Sequence, residues 1–167
     1  MIVRPAAVMD APLCIELVER RRIEYESYEP RFRKKAANSA DSTLPWFEKL
    51  FSDSENVCLI AIEGDHVLGF AIARKFPTPP VYDPGGPTAL IDDFCVGCKE
   101  LWKDVGQALL NETKQLLKQR GFAQLVVVGA RQDIAKTQFL EKANLSLAST
   151  WWTVGLQGAQ GIDIDDR

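Results

Sequence analysis

Two adjacent carboxylates, Asp92 and Asp93, lie inside the apolar run ALIDDFCV, and the segment LWKDVGQALL follows a few residues later. Neighbours on a β-strand project to opposite faces, so one of the pair can meet a reactant while the other meets solvent or the interior. A carboxylate in a strand of this kind serves as a base, or as a buried or capping group satisfied by a cation such as Arg131. From the start of LWKDVGQALL onward, Leu101, Val105, Ala108, Leu109 and Leu116 recur at steps of three, four or seven, which is the apolar face of a helix. A helix start following a strand presents unpaired backbone N–H groups and the positive end of the helix dipole to an anion, and phosphate is a natural ligand there. Lys99 and Lys103 add positive charge and Gly106 permits close approach, whereas Asp104 brings a like charge toward any phosphate unless its side chain turns away.

The elements that must position these groups follow from the pattern around them. Met1 to Pro5 reads as a first strand, and Asp10 is placed to cap a helix carrying Leu13, Ile15, Leu17 and Val18 into the charged stretch ERRRIEYESYEPRFRKK. Ala36 to Thr43 (AANSADST) reads as a loop, with Ser42 or Thr43 capping a short helix through Leu44, Trp46, Phe47 and Leu50. VCLIAI and VLGFAIAR, joined through Gly64 and Asp65, form an antiparallel hairpin. The proline-rich PTPPVYDPGGP cannot continue a central strand. ALIDDFCV, the helix ending near Gly121, and AQLVVVGA then make a strand-helix-strand unit with parallel strands. A helix from about Asp133 to Lys142 and a last strand, LSLASTWWTVGL, complete one domain over residues 1–156. Alternation on that strand sends one of Trp151 and Trp152 inward, and the polar residues 157–167 are expected to be disordered.

A chain of 167 residues supports one core, and a net charge of −3 offers no electrostatic case for nucleic acid or an anionic membrane. With no apolar run long enough to span a bilayer and no signal-peptide pattern at the N-terminus, a cytoplasmic location is expected. The four cysteines, Cys14, Cys58, Cys95 and Cys98, sit mostly in apolar segments, as reduced thiols do. Cys95 and Cys98 form a C-x-x-C, the spacing of a redox pair or half a zinc site; the single histidine, His66, is far away in sequence.

The element order, an antiparallel start followed by a parallel strand-helix-strand unit in one mixed central sheet, resembles the GNAT superfamily of N-acetyltransferases over roughly Ile2 to Leu156. FCV looks like the family's fourth strand and LVVVGA like its fifth. DIAKTQFLEKANL is similar to Asn-x-x-Ala-x-x-Phe-Tyr-x-x-x-Gly-Phe, with Phe139 retained. Of the family's Arg/Gln-x-x-Gly-x-Gly/Ala turn only Gly106 is present, since Leu101 and Asp104 occupy the other two positions. The whole block nevertheless resembles a bacterial branch with Trp-x-x-Val-Gly in its place. The resemblance implies an α/β acyltransferase that carries acetyl from acetyl-CoA to a small-molecule or protein amine by direct transfer. It places the cofactor on Phe94, Cys95 and Val96, on the turn Lys103, Asp104, Val105, Gly106 and Gln107, and on Asp133 and Phe139. It implies that the Val96 N–H polarises the thioester carbonyl while Asp92 or Asp93 serves as base. The acceptor would be bound by the helical insertion (Tyr25, Tyr28, Phe32, Trp46) and by Tyr82 of the proline-rich loop. An aromatic set at helical spacing is equally a core, and Arg20, Arg21 and Arg22 form either a solvated face or a site for an acidic acceptor. A homodimer is implied by family alone. The family's thiol-protonating Tyr corresponds to Leu140, which motivates a non-catalytic acyl-CoA-binding or sensory module as the alternative, and the C-x-x-C motivates a redox or metal protein.

Overall fold

The structure is a computed structural model that describes residues 1–156; the expected disordered tail, 157–167, lies outside the described residues. Five strands form one mixed sheet in the order β1-β2-β3-β4-β5: β1 (Ile2–Pro5), β2 (Val57–Glu63), β3 (His66–Phe76), β4 (Thr88–Val96) and β5 (Gln124–Val127). The first three pairings are antiparallel and β4 pairs with β5 in parallel, as the sequence pattern predicts. Gly64, at φ +56°, makes the tight turn between β2 and β3, a conformation that suits glycine.

Each face of the sheet buries its own apolar layer. Leu59, Ala71, Ile91 and Phe94 pack beneath α3 (Val105–Gln119) with Leu109 and Leu110, while Ile60, Phe70, Ile72 and Cys95 pack beneath α1 (Ala11–Tyr28) and α2 (Ser39–Ser52). α4 (Ile134–Lys142) closes the end of the first layer through Phe139.

Several local expectations fail for tertiary reasons. Asp10 does not cap α1 with its side chain. Its buried carboxylate accepts two bonds from Arg4 (2.7 and 2.8 Å) and one from the Ala7 N–H. The loop read into AANSADST is half helix: α2 begins at Ser39 and neither Ser42 nor Thr43 caps it. Ser39 and Thr43 are buried because Arg22 of α1 donates to both hydroxyls and Ser39 donates to Glu19, so partners on another helix override the turn propensity of this run.

The last strand is absent. Residues 145–156 carry no strand pairing among the described residues, and both tryptophans face outward, Trp151 84% and Trp152 85% exposed, so neither enters the core.

Candidate active site

β4 and β5 run together only from the Thr88–Gln124 pair to the Ile91–Val127 pair, with one further bond from the Val128 N–H to the Ile91 carbonyl. From there to Val96 the outer edge of β4 has no strand partner among the described residues, so the two strands part into a slot. Phe94 turns its carbonyl to this edge, and by alternation Val96 turns its backbone groups the same way. The slot opens at the carboxyl end of a parallel strand, beside the start of the helix that follows it. This is where α/β folds bind ligands.

A bulge shapes β4 just before the slot. Ile72 pairs with Asp93 but Ala73 pairs with Ile91, which leaves Asp92 as the extra residue. Ile91 and Phe94, three apart, accordingly share one core layer. The alternation that would send the two aspartates to opposite faces is therefore lost. Asp92 is exposed and lies 3.9 Å from Arg74. Asp93 is half-buried, and burial, then the charge of Asp92, raises its pKa, while Arg22, Lys136 and Arg74 oppose the rise. The cations around Asp93 are these three and not Arg131.

The turn after β4 is a short 3-10 helix, Lys99–Trp102, and α3 starts at Val105 with Asp104 at its N-cap making no side-chain bond. Lys103 and Asp104 are exposed, Val105 is buried, and Gln107 donates to Asn111 at 2.8 Å. Gly106 has a packing role. A Cβ there would lie 2.6 Å from the Trp102 ring, so the missing side chain makes room for that indole. Trp102, 3% exposed, stacks on Phe139 (5.1 Å between centroids, 21° between planes) and meets Phe94 edge-on at 5.0 Å. Phe139 is thus a core residue that holds the turn.

Against this aromatic group sits a polar cluster that joins the predicted Asp133 and Tyr25 to Arg21 and to Lys136, the member that the site prediction omits. Asp133 caps α4 by accepting from the Lys136 N–H, and it also accepts from Tyr25 (3.0 Å) and from Arg21, both on α1. Lys136 is 2% exposed. Its Nζ donates to the Phe94 carbonyl at 3.3 Å and lies 5.5 and 5.6 Å from the Phe94 and Trp102 rings. Burial pulls this ammonium down to about 8, with Cys95 opposing and the neighbouring Arg21 adding to the fall. One signal for Lys136 was present in the sequence: it stands where the similar motif Asn-x-x-Ala-x-x-Phe-Tyr carries alanine, four residues before Leu140.

The predicted acceptor set is only partly brought together. Tyr25 and Tyr28 approach at 5.9 Å, and the Arg33 guanidinium lies over both Tyr25 (4.7 Å) and Phe32 (5.5 Å). These side chains, apart from Tyr28, line a cavity of about 270 Å³ with Arg22, Lys34 and Lys35. Trp46 lies on α2 and is not among its lining residues, and Trp151 packs on Phe32 from outside at 6.2 Å. Tyr82 lines another cavity, with Thr88 and Gln124, at the end of β4 opposite the slot.

The C-x-x-C does not form a unit. Cys95 is buried, with its thiol raised to about 11 by burial, whereas Cys98 is exposed. A raised thiol is the reverse of what redox or metal-binding chemistry requires. No metal-binding group of histidine, cysteine and carboxylate side chains occurs among the described residues. Among them, too, no helix is long and apolar enough to cross a membrane.

Residues 18–143 match the profile of the Acetyltransferase (GNAT) family. No protein of curated function matches the chain. Among solved structures, the tetramutant of the BH1408 protein from Bacillus halodurans is similar at a TM-score of 0.78 and 14% identity, covering 93% of this chain and 100% of that one. A predicted acetyltransferase with acetyl-CoA from Clostridium acetobutylicum is similar at 0.72 and 16%, covering 96% and 99%. The ribosomal-protein-alanine N-acetyltransferase of Brucella melitensis biovar Abortus 2308 follows at 0.61 and 17%, covering 95% and 100%. At these identities the likeness is one of fold.

Proposed function

Because the chain belongs to the GNAT acetyltransferase family, we propose that it transfers the acetyl group of acetyl-CoA to an amine by direct attack in a ternary complex. The free edge of β4 between Ile91 and Val96 carries this reading, because its backbone groups can pair with the amides of a pantetheine arm as a missing strand would. Acetyl-CoA supplies the thioester carbonyl. The chain's own part is to orient it and to manage the proton. The Val96 N–H donates to the carbonyl oxygen, where negative charge develops. Asp93, its pKa raised by burial and by the charge of Asp92, accepts the proton of the attacking amine. The helix start at Val105, with Lys99 and Lys103 exposed beside it, suits the pyrophosphate, while Gly106 keeps Trp102 in place behind it.

The acceptor end of the reading is the basic cavity at the end of α1. Arg22 and Lys35 are paired with Glu19, while Arg33 is stacked on rings rather than ion-paired among the described residues. An amine that also bears a negative charge suits that lining. A second copy of the chain is the partner we infer, because Leu147, Trp151, Trp152, Val154 and Leu156 expose an apolar segment of the kind that interfaces cover. Leu140 favours the alternative of a non-catalytic acyl-CoA-binding module, since leucine cannot protonate a thiolate.

Titration calorimetry with acetyl-CoA tests the reading. Micromolar binding, ~8 kcal/mol, is expected for the wild type, weakened roughly tenfold when Lys99→Glu and Lys103→Glu are combined. Absence of binding by folded wild type refutes it.

A further inference from the structure

We propose that Lys136 is a catalytic residue, the acid that protonates the departing thiolate of CoA from within the slot between β4 and β5. The inference rests on the acetyltransferase reading and adds to it a residue that the family motif does not supply.

Geometry carries the argument. Lys136 is nine-tenths or more buried, between the Phe94 and Trp102 rings, and its ammonium bonds a backbone carbonyl rather than a carboxylate. It is aimed at the Phe94 carbonyl, two residues from the Val96 N–H on the same free edge. The ammonium thus sits on the edge along which a pantetheine arm would pair, next to the residue whose N–H would hold the thioester carbonyl. The group is held in place from every side. Asp133 fixes the α4 backbone by capping it, Arg21 and Tyr25 of α1 anchor Asp133, and the Phe94 and Trp102 rings flank the Nζ. On β4 the remaining titratable groups facing it are Cys95 and Asp93.

The proton balance closes without another reactant. The amine nitrogen forms its bond to the acetyl carbon and gives up a proton to Asp93 or water. The C–S bond breaks, the sulfur keeps the electron pair, and Lys136 transfers a proton to it, becoming a neutral amine. Lys136 regains a proton from solvent before the next turnover. An ammonium whose pKa lies near 8 gives up its proton far more readily than an ordinary lysine, and at neutral pH it starts out mostly protonated. A neutral lysine in the same slot has a second chemical option, attack on the thioester with formation of an Nζ-acetyl group, which the test must separate.

The experiment uses free CoA, so no acceptor need be known. CoA is bound to wild type and to Lys136→Met, each shown folded by circular dichroism, and the thiolate is followed by its ultraviolet absorbance as pH is raised. In wild type the bound thiol is expected to ionise up to about one pH unit below free CoA, because the adjacent ammonium stabilises the thiolate without making the thiol the stronger acid, and Lys136→Met is expected to lose this. With hydroxylamine as probe acceptor, CoA release from acetyl-CoA should fall roughly 10²- to 10⁴-fold in Lys136→Met while acetyl-CoA binding persists. CoA that binds with the same thiol titration in both proteins overturns the role of Lys136 and leaves the acetyltransferase reading standing. Failure of folded wild type to bind CoA overturns both. Intact-mass analysis showing stoichiometric acetylation of Lys136 by acetyl-CoA also overturns the proposal, since it would make the side chain the acceptor.

Discussion

Replacing Lys136 by methionine keeps an unbranched side chain of similar length in the slot and removes its charge, which makes the cost of that charge measurable. In the fold the lysine falls from its ordinary 10.5 to about 8, with burial the main cause. At ~1.4 kcal/mol for each tenfold change in proton affinity, the charged form is disfavoured by about 3 kcal/mol relative to the unfolded chain. Below pH 8 both states bind the proton and the full cost is present. As pH rises from 8 toward 10.5 the folded protein has lost the proton while the unfolded chain still holds it, so the unfolded state binds more protons and folding gains. Between pH 7 and pH 10 the gain is about 2–3 kcal/mol. The absolute sign of the substitution at pH 7 is a poor test, since methionine also strips the Phe94 carbonyl of its donor at a cost of about 1–3 kcal/mol. The pH dependence of the difference between the two proteins is free of that constant term, and largely free of the buried thiols and tyrosine that titrate in both. Urea unfolding followed by far-ultraviolet circular dichroism at pH 7 and pH 10 should show the wild type gaining about 2–3 kcal/mol on Lys136→Met. A difference that stays constant to within about 0.5 kcal/mol would show that no buried ammonium is being carried there.

Gly106→Ala places a methyl 2.6 Å from the Trp102 ring and should destabilise by about 1–3 kcal/mol in urea unfolding, with altered tryptophan fluorescence as the indole leaves Phe139; a neutral substitution would mean that the ring is not seated there. Asp10→Asn should cost about 1.5–3 kcal/mol at pH 7, because Arg4 loses a carboxylate that accepts two bonds. The Arg4 bond lowers the Asp10 pKa, so this stabilisation is present above the ordinary aspartate value and is lost as pH falls through the lowered one. The gap between wild type and Asp10→Asn should therefore close in acid, and a gap independent of pH would refute the ion-pair account.

Elements with a strong local pattern were legible in the sequence. β2, β3 and β4 are apolar runs bounded by turn residues and α3 carries a helical repeat, none of which needs a partner to be recognised. What escaped depends on pairs distant in the chain. Ser39 and Thr43 look like loop residues until Arg22 and Glu19 reach them from α1. LSLASTWW has strand composition but pairs with no strand among the described residues. The bulge at Asp92 is set by the register against β3, and no property of DD alone announces it. The predicted cofactor residues cluster around one turn and one edge, yet Gly106 and Phe139 pack behind that turn as its support.

Two departures from the family pattern on α4 are physically connected. Leu140 removes a hydroxyl from one turn of the helix, and Lys136 introduces an ammonium one turn earlier on the same face, since residues four apart stack along a helix. A leucine at 140 alone would leave the slot without a proton donor on this helix. A lysine at 136 alone would be a costly buried charge. Side by side, the apolar residue extends the desolvated lining that depresses the ammonium, and the ammonium replaces the proton source. The cost of burying it is met by anchoring rather than by neutralisation: Asp133 accepts from Arg21 and Tyr25 with one oxygen and caps α4 with the other, while the Lys136 Nζ bonds the Phe94 carbonyl. A stability argument alone would favour an Asp133–Lys136 ion pair. The arrangement that holds the ammonium away from that partner and against the Phe94 carbonyl is the one expected of a group kept ready to release a proton.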